Sequence, residues 1–145
     1  MLVRNVKTSD LPEICEIEKF SFDREAYSKR FIETLICHFG DTFLVAEDQG
    51  RIVGYAVAVL DGEVGHIYSI AVHPTARKEG VGRILLTSLV ERMRAKGLSR
   101  ARLEVREDNL PAQALYKRLG FVVEGRIESY YSDRRGAIVM SKALN

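Results

Sequence analysis

The chain has 145 residues, 46% hydrophobic and 29% charged, which suits one domain spanning residues 1–145 with a core of ordinary size. Its 22 basic and 20 acidic residues leave a net charge of +2, so bulk charge points to neither a nucleic-acid nor a membrane binder. Cys15 and Cys37 form no CxxC pair, and His38, His66 and His73 form no HExxH spacing, so a reducing compartment and no metal site are expected.

The first ten residues, "MLVRNVKTSD", lack an apolar run of secretory length, and the longest apolar stretch, "IVGYAVAVL", is about half of what a membrane span needs. A cytoplasmic location is expected. "LVRNVK" alternates and reads as a first strand. "TSDLPEICEIEKF" reads as a helix: Ser9 or Asp10 can cap it, Pro12 fits its first turn, and Ile14, Cys15 and Ile17 make an apolar stripe. "SFDREAY" breaks that pattern. Ser28 can cap a second helix carrying Phe31, Ile32, Leu35 and Ile36.

Three strands follow, "TFLVAED", "RIVGYAVAVL" and "EVGHIYSIAVH". Gln49-Gly50 and Asp61-Gly62 are hairpin signals, and Pro74 stops the third strand. Strict alternation puts His66, Tyr68, Ile70 and Val72 on one face of that strand. A helix is predicted from Val81 to Lys96, ended by Gly97. "RARLEVR" is a strand, "DNLP" a turn and "AQALYKRLG" a short helix. "FVVEGRIESYY" and "AIVMSKAL" are two last strands around "SDRRG". The helix between "EVGHIYSIAVH" and "RARLEVR" is a crossover joining parallel neighbours. The order predicts an α/β (α+β) fold, with a mixed, mostly antiparallel sheet covered by helices.

Several residues have two readings. "ARKEGVGRILL" places Gly80 and Gly82 between Arg77, Lys78 and Arg83 at a helix start. It is either a plain turn or a seat for a phosphate, which free N–H groups and close backbone approach would favour. It is not a P-loop or a dinucleotide fingerprint. In "RARLEVR", Glu104 shares a strand face with Arg102 and Arg106, either as one rung of a solvated charge ladder or as a general base kept ionised by the cations. Tyr116 is a core residue or a proton donor, and Asn109 a helix cap or a contact to a peptide-like ligand. His66 is structural or catalytic. Tyr130 and Tyr131, as strand neighbours, would point to opposite faces. Phe20 and Phe22 are core residues or line a site.

Taken together these residues resemble the GNAT N-acetyltransferase superfamily. Arg77, Gly80 and Gly82 match its R/Q-x-x-G-x-G/A loop, and "LEVREDNLPAQALYKRLGF" matches its later strand and helix. The resemblance covers nearly the whole chain and implies the GNAT fold, a seven-stranded sheet flanked by four helices. It implies acetyl-coenzyme A as cosubstrate, with no metal. Its pyrophosphate would lie on Arg77, Lys78, Glu79, Gly80, Val81, Gly82 and Arg83, and its pantetheine arm along Ile70, Ala71 and Val72. Asn109 would contact that arm and Tyr116 the sulfur. The sequence is most similar to RimI-like and archaeal-type protein N-terminal acetyltransferases. That similarity implies Glu104 as general base, Tyr116 as general acid, and a backbone N–H near Val72 for the oxyanion.

In the same relatives Tyr130 and Tyr131 match a pair that holds the peptide, and His66 stands where some carry a water-positioning tyrosine. "SFDREAYS", with Phe22 and Tyr27, stands where a substrate loop would be, without its proline. The implied acceptor is a protein N-terminus, such as that of a ribosomal protein, and the implied state a monomer or weak homodimer. Acetylation of a small amine or a lysine side chain is the competing enzyme reading. A basic nucleic-acid-binding module, drawing on Arg92, Arg94, Lys96, Arg100, Arg102 and Arg106, is the competing reading from another class.

Overall fold

The periodic stretches form the elements they predict. In a computed structural model describing residues 1–145, these are β1 (Leu2–Asn5), α1 (Leu11–Phe22), α2 (Lys29–Phe39), β2 (Phe43–Asp48), β3 (Arg51–Asp61), β4 (Val64–Val72), α3 (Val81–Ala95), β5 (Arg100–Arg106), α4 (Leu110–Arg118), β6 (Val122–Ile127) and β7 (Ala137–Ala143). The seven strands lie in the order β1-β2-β3-β4-β5-β7-β6. Every neighbouring pair is antiparallel except β4 and β5, which α3 joins as a crossover. The fold is therefore the mixed, mostly antiparallel sheet with four helices that the order predicts. The sequence carries no signal for β7 returning between β5 and β6.

Each face of the sheet has its own core. α1 and α2 cover one, packing Ile14, Ile17, Ile32 and Leu35 on Phe43, Val45, Tyr55 and Val57. α3 covers the other, packing Leu85, Leu86, Leu89 and Met93 on Leu44, Ala56, Ala58 and Leu103. Two covered faces explain the unbroken apolar run at the start of β2, where Phe43 to Ala46 are all buried. α3 lies close to the sheet because Gly54 leaves room. A Cβ there would sit 3.0 Å from both the Ala71 carbonyl oxygen and Leu85 Cδ1.

Local chemistry sets the element ends, with some corrections to the sequence reading. Ser28 Oγ accepts from the Phe31 amide at 3.1 Å and caps α2 as expected. Asp10 does not cap α1 through its side chain. Its carboxylate is drawn instead to the Arg4 guanidinium, at 2.9 and 3.0 Å. The Gln49–Gly50 loop has positive φ at both residues, 52° and 78°, as a type I′ hairpin requires. The second hairpin loop is Gly62–Glu63, one residue later than its sequence signal, because Asp61 already pairs with Val64. α4 starts at Leu110, since Pro111 is tolerated in a first turn. β6 ends at Ile127, so Tyr130 and Tyr131 lie outside any strand.

Two irregularities shape the middle of the sheet. Val57 pairs with Ser69 but Ala58 pairs with Ile67, so Tyr68 is an extra residue, a β-bulge in β4. The bulge resets the alternation. His66 and Tyr68 stay on the α1–α2 side, but Ile70 and Val72 switch to the α3 side and Ala71 takes their place, so the four do not share one face. The second irregularity is the β4–β5 ladder, which holds only from Val64↔Arg100 to His66↔Arg102. Beyond it the strands diverge, leaving one edge of β4 from Ile67 to Val72 without a neighbour.

Candidate functional site

The wedge between β4 and β5 opens into a cavity of about 590 Å³. It gathers nine of the candidates named from sequence. Phe22 and Tyr27 come from α1 and the connector to α2, and His66 and Ile70 from β4. Glu104 comes from β5, Asn109 and Tyr116 from α4 and its cap, and Tyr130 and Tyr131 from the segment after β6. Phe20 lies outside it, 58% exposed, with its ring 5.5 Å from that of His73.

Glu104 is the most constrained group. Its side chain is only 8% exposed. His66 Nε2 lies 2.7 and 2.9 Å from its two oxygens, and the Tyr130 hydroxyl donates to it at 3.3 Å. Burial alone would raise the carboxyl. The His66 hydrogen bond and charge, with Arg102 and the Tyr130 hydroxyl, overcome that and hold it below the usual carboxylate range. Glu104 is thus not a rung of a solvated ladder. The register makes this contact, because His66 pairs directly with Arg102, the residue two before Glu104 on the same face.

Tyr116 stands on the other side of the cavity, from α4. Burial alone pushes its hydroxyl up to about 12, so it holds its proton across the neutral range. Asn109 takes the cap role, its Oδ1 accepting from the Ala112 amide at 3.2 Å, while also lining the cavity. Tyr130 and Tyr131 both face the cavity, their rings edge to face at 5.0 Å. This corrects the opposite-face expectation, which needed a strand the segment does not form.

The loop from Arg77 to Arg83 lies at the wedge's outer end and does not line the cavity. Gly80 has φ +79° and the helix begins directly after it. Gly82 is inside the first turn of α3, where a glycine costs roughly 1 kcal/mol against alanine. Nothing in the chain demands it there, since a Cβ would meet no atom closer than 3.7 Å. The adjoining edge of β4 is open as well. The His73 amide donates to the Val53 carbonyl at 2.7 Å, so Gly54 and Val72 face each other as a non-bonded pair. That geometry turns the N–H and C=O of Val72 towards the wedge. Arg77 Nε donates to that carbonyl at 3.2 Å, leaving the amide free.

Sequence reasoning missed two parts of the site. One is the floor. Glu18 of α1 is 1% exposed and accepts from the Tyr55 hydroxyl, from Ser69 Oγ at 3.2 Å and from the Tyr27 amide at 2.7 Å. Burial pushes its carboxyl up despite those donors. Its signal was present: Glu18 stands four residues after Ile14 on the buried face of α1. The other is the fastening of the roof. Glu25 accepts from the Ser132 amide at 2.7 Å and from its hydroxyl, while Arg106 holds Asp133 and lies 4.9 Å over the Tyr131 ring. These contacts cross 107 and 27 residues of sequence, beyond any local pattern.

The basic residues from Arg92 to Arg106 are mostly engaged. Arg94 pairs with Glu91, Lys96 with Asp41, Arg100 with Glu124 and Arg106 with Asp108 and Asp133. No cluster of side chains capable of holding a metal is present, and no helix is long and apolar enough to cross a membrane.

The acetyltransferase (GNAT) family matches residues 11–121. A candidate ribosomal protein bS18-alanine N-acetyltransferase of Bacillus subtilis is 33% identical across 99% of this chain and 95% of its own length. An N-alpha-acetyltransferase of Sulfurisphaera tokodaii is 30% identical across 98% of this chain and 92% of its own length. The crystal structure of Ard1 from Thermoplasma volcanium superposes with a TM-score of 0.95 at 29% identity, covering 99% of this chain and 97% of that one.

Proposed function

The chain belongs to the acetyltransferase (GNAT) family and is an acetyl-transfer enzyme, and from that premise we propose that it acetylates the terminal α-amine of a protein, with acetyl-coenzyme A as donor. The observation that carries this reading is Glu104, a buried, ionised carboxylate held by His66 in the same cavity as the protonated hydroxyl of Tyr116.

The donor supplies an activated thioester. The chain's own features fit it: the side-chain-free surface at Gly82, the amides at the start of α3 and the unpaired edge of β4. Arg77, Lys78 and Arg83 add positive charge beside those amides, where phosphates would lie.

On the acceptor side, an α-amino group has a pKa of ~7.7–8.0, against ~10.4 for lysine, so it needs modest help to lose its proton near neutrality. Glu104 takes that proton, with His66 beside it to share the charge. The free amine attacks the thioester carbonyl. The Val72 amide, turned towards the wedge, is placed to stabilise the oxyanion. As the carbon–sulfur bond breaks, Tyr116 gives its proton to the thiolate, and the second proton that the attacking nitrogen must lose passes through water to restore the Tyr116 hydroxyl, while Glu104 releases its own proton to solvent. Its raised pKa does not forbid this, because the same dry surroundings destabilise the thiolate too. Neither Cys15 nor Cys37 lines the cavity, so no acyl-enzyme step is invoked.

A protein N-terminus, such as that of a ribosomal protein, is the acceptor that the relatives' names favour. The Tyr27–Tyr68–Phe31 aromatic wall and the Tyr130–Tyr131 roof support a peptide between them. The test is an acetylation assay on short peptides with free or blocked N-termini, with polyamines and free lysine in competition. Transfer to the free α-amine alone is the expected result. Transfer confined to lysine side chains or polyamines would overturn it.

A further inference from the structure

β5 carries a row of charge on the face turned away from α3, formed by Arg100, Arg102, Glu104 and Arg106, while Ala101, Leu103 and Val105 enter the core. Two of its three cations are neutralised. Arg100 pairs with Glu124, and Arg106 with Asp108 at 3.1 Å and Asp133 at 2.5 Å. Arg102 is different. Its nearest acid is Glu104, 4.0 Å from Nε, and the oxygens of Glu104 are already taken by His66 and Tyr130. Arg102 Nε is buried with no partner, while the side chain as a whole is 43% exposed. A guanidinium thus reaches solvent beside Glu104, just outside the cavity's lining, without a carboxylate of its own.

We propose that Arg102 reads an acidic side chain at the second or third residue of the acceptor peptide. This rests on the acceptor being a peptide N-terminus, as proposed above. Along an extended chain each residue advances by ~3.4 Å. Arg102 lies two residues from Glu104 on one strand face, with its Nε 4.0 Å from the Glu104 carboxylate, so the guanidinium stands about one to two residues' advance from the proton acceptor. A peptide whose amine meets Glu104 and which runs along β5 presents its second and third side chains over that distance. A guanidinium binds a carboxylate through two parallel hydrogen bonds, and here it exchanges no existing partner to do so. A lysine or arginine at those positions meets unneutralised positive charge instead. The charge of Arg102 also acts on the Tyr130 hydroxyl, a group on the peptide side of the cavity.

The experiment measures kcat/KM with acetyl-coenzyme A for peptides alike except at residues two and three, which are Glu-Glu, Gln-Gln or Lys-Lys. The wild-type chain is compared with Arg102→Gln and Arg102→Glu. Because Arg102 also bears on Glu104, the informative quantity is the ratio between peptides, in which any general loss of rate cancels. The expected ratio of acidic to basic peptide is about tenfold in the wild type, a size set by a partly exposed bidentate pair. It should collapse towards unity in Arg102→Gln and invert in Arg102→Glu. A wild-type ratio within about twofold, or a ratio unchanged by both substitutions, overturns the role of Arg102 while leaving N-terminal acetylation intact. Transfer to polyamines with none to any peptide overturns both.

Discussion

At the scale of single residues, the site is built around two carboxyls pushed in opposite directions. Glu104 is held ionised by His66, so its contribution to stability is present above the unfolded value of ~4.3 and is lost as pH falls through its lowered folded value. Removing the partner should reverse that. His66→Ala leaves a carboxylate that is 8% exposed without its closest donor, and should destabilise the protein by about 1–3 kcal/mol at neutral pH, read by denaturant titration. Glu104→Gln should lower kcat by about 100-fold or more, most strongly below neutrality, with acetyl-coenzyme A binding retained. An unchanged pH–rate profile would remove Glu104 from the base role. Glu18 behaves in the opposite sense. Burial raises its folded pKa, so the protein loses stability as pH rises from ~4.3 towards that raised value. Glu18→Gln carries no such slope, and its melting temperature relative to wild type should climb across that window; a flat difference would mean that Glu18 is ionised at no cost. Glu104, Asn109 and Tyr116 could be singled out because strand alternation, helix spacing and capping are local, but those patterns left their roles open and only the family resemblance implied them. Glu18 was legible only in part: helical spacing puts it on the face of Ile14, but nothing local shows that Tyr55, Ser69 and the Tyr27 amide gather to hold a buried carboxylate there.

Among the elements, α3 shows a conflict between stability and use. Gly82 weakens its first turn, and no atom of the chain requires glycine there. Gly82→Ala should therefore leave stability unchanged or raise it by up to about 1 kcal/mol, yet weaken acetyl-coenzyme A binding about tenfold or more. A melting curve and a binding isotherm on one sample decide it, and unimpaired binding would return the loop to a plain turn. Gly54→Ala makes the opposite kind of change. It crowds the Ala71 carbonyl and Leu85, both at 3.0 Å, and should cost about 1–3 kcal/mol. Helices and hairpins were readable because their periodicity, caps and glycines are written in consecutive residues. The bulge at Tyr68 was not, because an inserted residue leaves the composition of β4 unchanged and appears only against the register of β3. For that reason Ile70 and Val72 lie on the opposite face from the one strict alternation predicts.

For the whole molecule, the sheet divides into β1–β4 and β5–β7–β6, joined by three ladder pairs. On the acceptor side the halves are also tied by Glu25 to Ser132 and by Glu104 to His66. Ser132 is exposed and Glu25 half-buried, so Glu25→Ala, which removes both bonds to Ser132, should change stability by no more than about 1 kcal/mol. It should raise the KM for peptide by severalfold while leaving that for acetyl-coenzyme A alone, since it frees the segment carrying Tyr130 and Tyr131 but not β4. Equal effects on both substrates would sink this assignment. The crossover between β4 and β5 could be read from the helix between them. The position of β7 and the early end of the β4–β5 ladder could not, because both depend on partners far apart in sequence. With acetyl-coenzyme A as the donor proposed above, that short ladder would let the donor add to the molecule's cohesion. A donor arm lying along the open edge of β4 would act as a temporary strand, slowing hydrogen exchange at the Val72 amide and raising the melting temperature with donor concentration. Without it the half-sheets meet at three ladder pairs and the shared core beneath α3; with such an arm bound they would be bridged along the wedge, and each product release would reopen that gap.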